Sequence, residues 1–216
     1  VFGVNAGELA SDMRVVSAAS CTTNAVVPVL DTLSRAFGIE AATITTIHSL
    51  MNDQPVLDAY HHTDLRKTRA ASQSIIPVDT GLAVGIERIL PHLAGKLSAH
   101  ALRVPTTKVS AIELTVATER PSDREQVNAA LLAASQGTLS GIMDYSVEPL
   151  ASCDVAGEAA SAIVDAKQTQ VAAGRLAKIL IWFDNEWAYA SRMIDVALAW
   201  QQRIAQSAPP LKERLQ

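Results

Sequence analysis

The amino-acid sequence predicts an α+β fold, a mixed and largely antiparallel sheet covered by helices. Three observations lead there. Runs of strand composition at 98–104, 109–118 and 177–183 mostly follow other strands instead of alternating regularly with helices, which disfavours a βαβ repeat. Apolar residues recur every three or four positions over 23–37 and 82–90, and 186–204 reads as a final helix, so amphipathic helices are available to cover a sheet. No GxGxxG fingerprint is present, so a Rossmann nucleotide-binding unit is not expected within this stretch.

Composition narrows the function classes. The chain has 216 residues, 49% apolar and 19% charged. A chain of that length can bury about 70% of its unfolded surface. Net charge is −4, and Lys and Arg are spread along the chain, which leaves no electrostatic footprint for nucleic acid. The longest apolar runs, such as Ala177 to Phe183, fall far below the roughly 20 residues of a membrane span. Cys21 and Cys153 could form one disulfide at most, which fits a reducing, cytoplasmic setting. Val1 to Asn5 reads as the end of a strand, without the basic and apolar regions of a secretory signal.

In chain order, Arg14 to Ala19 reads as a lead-in strand, and Ser20, Thr22 and Thr23 offer oxygens to cap the helix that follows. That helix carries Val26, Val27, Leu30, Leu33 and Phe37 on one face and stops at Gly38, with Pro28 early in it. Ala42 to Ile47 forms a strand that delivers His48. The polar segment 49–73 is a long, ordered excursion of the kind that carries function or interfaces. Leu82 to Leu90 is helical, and the strands 98–104 and 109–118 are separated by Pro105-Thr106-Thr107-Lys108, which suits a hairpin-like turn. Ser122 to Glu125 resembles a capping sequence for a helix ending near Gly137. Short strands near Ala151 and Ile163 lead to the strand 177–183, the helix 186–204 and the tail 205–216.

The chemistry centres on Cys21. A thiol at a helix start faces backbone N–H groups and the positive end of the helix dipole, which favour the thiolate. His48, at a strand end, is the candidate base and acid beside it. His61, His62, His92 and His100 have no metal-ligand spacing, and no metal site is expected. Cys153 reads as a packed core thiol, and Trp182 and Trp187 as packing residues.

Five segments occur together and in order: Ser20-Cys21-Thr22-Thr23-Asn24, Thr45-Thr46-Ile47-His48, Ala71 to Pro77, Arg103-Val104-Pro105-Thr106 and Asp184-Asn185-Glu186-Trp187. In order and spacing they resemble the glyceraldehyde-3-phosphate dehydrogenase family over about Val1 to Trp200. The resemblance implies a catalytic domain, 20–204, normally preceded by an NAD-binding Rossmann domain whose end would be 1–19. It also implies a homotetramer of the full-length protein, and little activity or NAD binding by this stretch alone. By the same resemblance the final helix would leave an apolar face where the NAD domain docks. Cys21 would be the nucleophile and His48 its base. Asn185 would hold the nicotinamide amide, with Tyr189 beside the ring. Ser20, Thr22, Thr80 and Gly81 would bind an attacking anion, and Arg103 the substrate phosphate.

Within the family, Met51 and Asp53 stand where two threonines usually help to hold the substrate phosphate. A carboxylate beside a phosphate is repulsive, so the phosphate must be held differently or lie farther away. Ile47 to Gln54, Asp58 to His61, Asp64-Leu65-Arg66, Arg69-Ala70-Ala71 and Pro77 to Thr80 resemble the D-erythrose-4-phosphate dehydrogenase branch. That likeness implies oxidation of a four-carbon sugar phosphate to 4-phosphoerythronate, on the route to pyridoxal phosphate, with water releasing the acid. Release by phosphate from glyceraldehyde 3-phosphate is the alternative. Arg66 and Arg69 become further candidates for anion contact or subunit packing. Ala18 and Ala188 replace the usual Asn and Gly of the family and bear on nicotinamide binding. A Cys/His hydrolase would use the same pair without a nicotinamide, but leaves Asp184-Asn185-Glu186 without a role.

Overall fold

The computed structural model describes residues 1–61 and 64–207, so His62 and the tail positions 208–216 lie outside the described residues. A seven-stranded sheet carries the fold, in the order β2-β3-β1-β4-β7-β6-β5. Its strands are β1 (Ile39–His48), β2 (Ile76–Val78), β3 (Leu97–Arg103), β4 (Ser110–Thr118), β5 (Met143–Ser146), β6 (Ala162–Ala172) and β7 (Leu176–Phe183). The helices are α1 (Cys21–Phe37), α2 (Leu82–Ile89), α3 (Arg124–Gln136) and α4 (Trp187–Ser207). The α+β class holds and the sheet is mixed. "Largely antiparallel" was too strong, because β1 with β3 and β5 with β6 run parallel.

Strand order also overturns the hairpin expected at Pro105 to Lys108. β3 and β4 do not pair with each other, because β1 lies between them, parallel to β3 and antiparallel to β4. A turn signal reports that the chain reverses, and cannot say whether another strand occupies the space between.

α1 forms the centre of the core. Its residues Val26, Val27, Leu30 and Leu33 are fully buried and belong to one cluster with Ile44, Ile112, Leu114, Ile179 and Ile181 of the sheet. Each such side chain contributes about 1.5–3 kcal/mol by leaving water. Ser20 caps α1 by accepting from the Thr23 N–H at 3.1 Å. Pro28 lies two turns into α1, deeper than its sequence setting suggested, and the helix continues through it. α3 is closed by a capping box between Asp123 and Gln126, one position later than the Ser122 to Glu125 pattern suggested.

The helices pack on one sheet face. The opposite face, with Thr43, Thr45, His100, Glu113 and Lys178, stays largely open apart from a small cluster of Val109, Val155, Ala160 and Ile163. Several local expectations fail where tertiary pairing decides. Val1 to Asn5 and 14–19 join no strand, and the strand expected near Ala151 is a 3₁₀ turn, Ser152–Val155. Cys153 in that turn is exposed rather than a core thiol, and both cysteines are free. Trp187 is 57% exposed rather than packed. On α4, Met193, Ile194 and Leu198 are exposed. No helix among the described residues is long and apolar enough to cross a membrane.

Asp184 starts α4. Its carboxylate accepts from the N–H groups of Gly157, Glu186 and Trp187 at 2.8–2.9 Å. Burial pushes its pKa up, but these backbone donors, with Lys108, outweigh burial and hold it below the usual carboxylate value. Asp184→Ala is expected to cost about 1–2 kcal/mol through loss of the cap, read from urea unfolding. Because the folded pKa is depressed, the charge contributes stability at neutral pH that is lost as pH falls through that pKa. Asp184→Asn should therefore flatten the acid limb of the stability profile.

Candidate active site

The site is assembled by the match between a helix and the strand after it. α1 spans about 24 Å at 1.5 Å per residue, and β1 about 30 Å at 3.3 Å per residue. One residue, Gly38, joins them. The chain thus returns along the length of α1, and His48 at the end of β1 comes to rest beside Cys21 at the start of α1. Gly38 has φ +69°, and a Cβ there would run into the Glu119 side chain, so glycine is what this link requires.

Register gathers other residues at the same sheet edge. His48 is paired with Arg103 at the ends of the parallel strands β1 and β3. Ser110 opens β4 opposite Phe183, which closes β7 just before Asp184 and Asn185.

Cys21 Sγ lies 3.6 Å from His48 Nε2. His48 Nδ1 donates to the Ser49 carbonyl at 2.9 Å, which puts the ring proton on Nδ1 and leaves the Nε2 lone pair facing the thiol. The ring of His48 is buried and meets Phe183 edge-on at 6.3 Å between centroids. Burial raises the Cys21 pKa, and the backbone N–H groups at the helix start, together with Arg103, only partly offset it. Burial likewise lowers the His48 pKa, against the carbonyl of Ser49 and Asp53, which raise it, while Arg103 lowers it further. The helix start therefore acts in the expected direction on Cys21 and is outweighed by desolvation. The pair rests as a thiol and a neutral imidazole, arranged for proton transfer from Sγ to Nε2.

Asn185 accepts from both Ser49 Oγ at 2.9 Å and Ser110 Oγ at 3.0 Å. Tyr189 Oη donates to the Ala19 carbonyl at 3.1 Å, fixing the phenol beside the segment that leads to Cys21. Ala18, in place of the family's usual Asn, contributes its carbonyl as acceptor for Asn24 Nδ2 at 2.7 Å. Ala188 is buried at the start of α4.

Ser20, Thr22, Thr80 and Gly81 share one cleft of about 590 Å³, and Arg88, which sequence reasoning missed, lines it too. Hydroxyls, a helix start and a guanidinium are suited to an oxyanion. Arg103 is mostly buried and lies 3.5 Å from Asp53 and 3.4 Å from Gln54 Oε1. Asp53 also reaches Lys67 at 3.9 Å. Arg66 and Arg69 are not brought to this cleft: they line a separate cavity with Gln73 and Ser74, and Arg69 pairs with Asp58 at 3.2 Å. The excursion that carries them is tied back by Ala59 N–H to the Thr68 carbonyl and Ala71 N–H to the Pro55 carbonyl. Ser49 and Ser110 were also missed. Neither carries a local signal, since Ser110 is 61 residues from its partner Ser49. Among the described residues no group of three or more His, Cys, Asp or Glu is arranged to hold a metal ion.

Residues 20–185 match the family described as glyceraldehyde 3-phosphate dehydrogenase, C-terminal domain. The chain belongs to that family, and its domain is that of a dehydrogenase.

Alkylation of Cys21 by iodoacetamide, followed against pH, checks the electrostatics. A half-buried thiol beside a neutral imidazole should react more slowly at neutral pH than exposed Cys153. Arg103→Gln removes the cation that favours the thiolate and should move the Cys21 profile to higher pH. An unmoved profile would contradict the reading of Arg103.

Proposed function

We propose that the full-length protein is an NAD-dependent dehydrogenase that oxidises D-erythrose 4-phosphate to 4-phosphoerythronate, with water releasing the acid. The observation that carries the choice of substrate is the surroundings of Arg103. Asp53 occupies the guanidinium at 3.5 Å, and the neighbouring Met51 offers no hydroxyl. An anion held close to Arg103 would face the Asp53 carboxylate, whereas the longer four-carbon substrate carries its phosphate farther from the aldehyde. Ser20, Thr22, Thr80 and Gly81 are the proposed anion contacts near the thiol, and Arg103, already paired with Asp53, would act on the substrate phosphate from a distance. Arg66 and Arg69 remain candidates for a more distant anion or a subunit contact.

In the reaction, Cys21 Sγ adds to the aldehyde carbon as its proton passes to His48 Nε2, giving the alkoxide of a hemithioacetal beside an imidazolium. Asn185 and Tyr189 would hold the nicotinamide ring, whose fit is supported by an Asn185 amide N–H₂ that makes no hydrogen bond within the described residues. NAD, when bound, is the hydride acceptor. His48 releases the proton it took to solvent and, neutral again, serves as base for the water that cleaves the thioester, that proton returning to the departing Cys21 sulfur; general-base assistance of this kind contributes about 10²–10⁴ in rate. The open sheet face supports a homotetramer, and the two free thiols suit a cytoplasmic setting. The second reading, phosphorolysis of a glyceraldehyde 3-phosphate thioester, is favoured by the cleft that joins Ser20, Thr22, Thr80 and Gly81.

NADH formation by the full-length protein, with each aldehyde and with or without inorganic phosphate, separates the two. The proposal expects phosphate-independent turnover of erythrose 4-phosphate, with kcat/KM at least about tenfold higher, or about 1.4 kcal/mol in transition-state stabilisation. Strictly phosphate-dependent turnover of glyceraldehyde 3-phosphate alone would overturn it. His48→Asn should lower kcat by about 10² or more while leaving NAD binding unchanged.

A further inference from the structure

Ser49 makes three hydrogen bonds in three directions. Its carbonyl accepts from His48 Nδ1 at 2.9 Å, its N–H donates to Ser110 Oγ at 3.1 Å, and its hydroxyl donates to Asn185 Oδ1 at 2.9 Å. Ser110 Oγ, already an acceptor for that N–H, sends its own proton to the same Asn185 Oδ1 at 3.0 Å. Ser49 is 0% exposed and Ser110 1% exposed, so neither hydroxyl can exchange its partner for water. This closes the choice between the two orientations of the Asn185 amide. Turned over, the amide would offer N–H₂ to both hydroxyls and leave the protons of Ser49 and Ser110 without the acceptor they share.

We propose that Ser49 and Ser110 are positioning residues that lock the Asn185 carboxamide with its oxygen inward and its N–H₂ outward, so that it selects a ligand bearing a carbonyl acceptor. The identity of that ligand as the nicotinamide carboxamide rests on the proposed function. A second consequence follows from the connectivity. The backbone of Ser49 sets the tautomer of the base, and its side chain sets the amide, so the two settings can be separated by mutation. Truncating the hydroxyl releases Asn185 and leaves the His48 Nδ1 bond to the Ser49 carbonyl in place.

The test uses Ser49→Ala and Ser110→Ala in the full-length protein. Three quantities are read: the Kd for NAD by calorimetry, the pH profile of Cys21 alkylation without cofactor, and the Kd for two NAD analogues. Each substitution should raise the Kd for NAD about tenfold, roughly the 1.4 kcal/mol of one well-placed hydrogen bond, and the alkylation profile should stay unmoved in Ser49→Ala, which leaves the Ser49 backbone bonds in place. The 3-acetylpyridine analogue keeps the carbonyl and lacks the amide N–H₂, and should show the same tenfold ratio. The thionicotinamide analogue, a weak acceptor, should show a smaller one. Ser49→Cys and Ser110→Cys preserve volume and carry the test where an alanine variant folds poorly, with an intermediate loss expected from the weak thiol donor.

An unchanged Kd in folded variants, or a loss in Ser49→Ala accompanied by a shifted alkylation profile, would overturn the positioning role while leaving the dehydrogenase reading intact. A loss seen with NAD and absent with the acetylpyridine analogue would overturn the assigned amide orientation. No NAD binding by the unsubstituted full-length protein would overturn the cofactor reading itself, and the proposed ligand with it.

Discussion

The packing of α1 against β1 is the constraint on which the site depends. Cys21 and His48 are 27 residues apart in sequence and 3.6 Å apart in space, and only the matched lengths of one helix and one strand bring them together. The helix is held by its buried face, Val26, Val27, Leu30 and Leu33, against Ile44 and Ile112. The link at Gly38 leaves no slack. A slip of α1 by one turn would move the nucleophile by about 5.4 Å, and the same slip would unseat the core. Stability and the reacting geometry are therefore one requirement, and the interior strand β1, paired on both edges, supplies the rigid side of it.

Desolvation sets the resting state of that pair. It raises the Cys21 thiol and lowers the His48 imidazole, disfavouring each charge taken alone. The helix N-terminus and Arg103 act on the thiolate as their signs require, yet they do not overcome burial. A proton shift between the two creates both charges at once, at a separation where they attract strongly in a medium of low dielectric. The chemistry suited to this arrangement draws the proton across as the carbon–sulfur bond forms.

Much of this was legible in the sequence. Helical spacing placed α1 and its stop at Gly38, strand composition placed β1, β4 and β7, and the Cys21 and His48 positions followed from those elements. What was not legible depended on long-range pairing. The order that puts β1 between β3 and β4 has no local signature, nor does the 61-residue separation of Ser49 and Ser110. The thiol of Cys153 read as core because the stretch around it looked strand-like, but a 3₁₀ turn carries it into solvent. The net direction of the Cys21 shift was equally hidden. Sequence showed the helix start that lowers the pKa and could not show how much of the thiol is desolvated.

The residues of the site divide by what holds them. His48, Ser110 and the approach to Asn185 are anchored by adjoining strand ends, and Ser49 ties all three together through buried hydrogen bonds. Met51, Asp53, Lys67, Arg66 and Arg69 belong instead to the excursion between β1 and β2, whose ties are mostly its own turns and exposed ion pairs, worth about 0–1 kcal/mol each. Changes in that segment leave the strand-end anchors of the thiol, its base and the amide in place, and reach Cys21 and His48 only through charge, by way of Asp53 and its partner Arg103. The boundary falls between Ser49 and Met51, directly after the residue that sets both tautomer and amide. A site built this way can vary its excursion, where Met51 and Asp53 lie, while the strand ends that hold Cys21 and His48 together stay fixed.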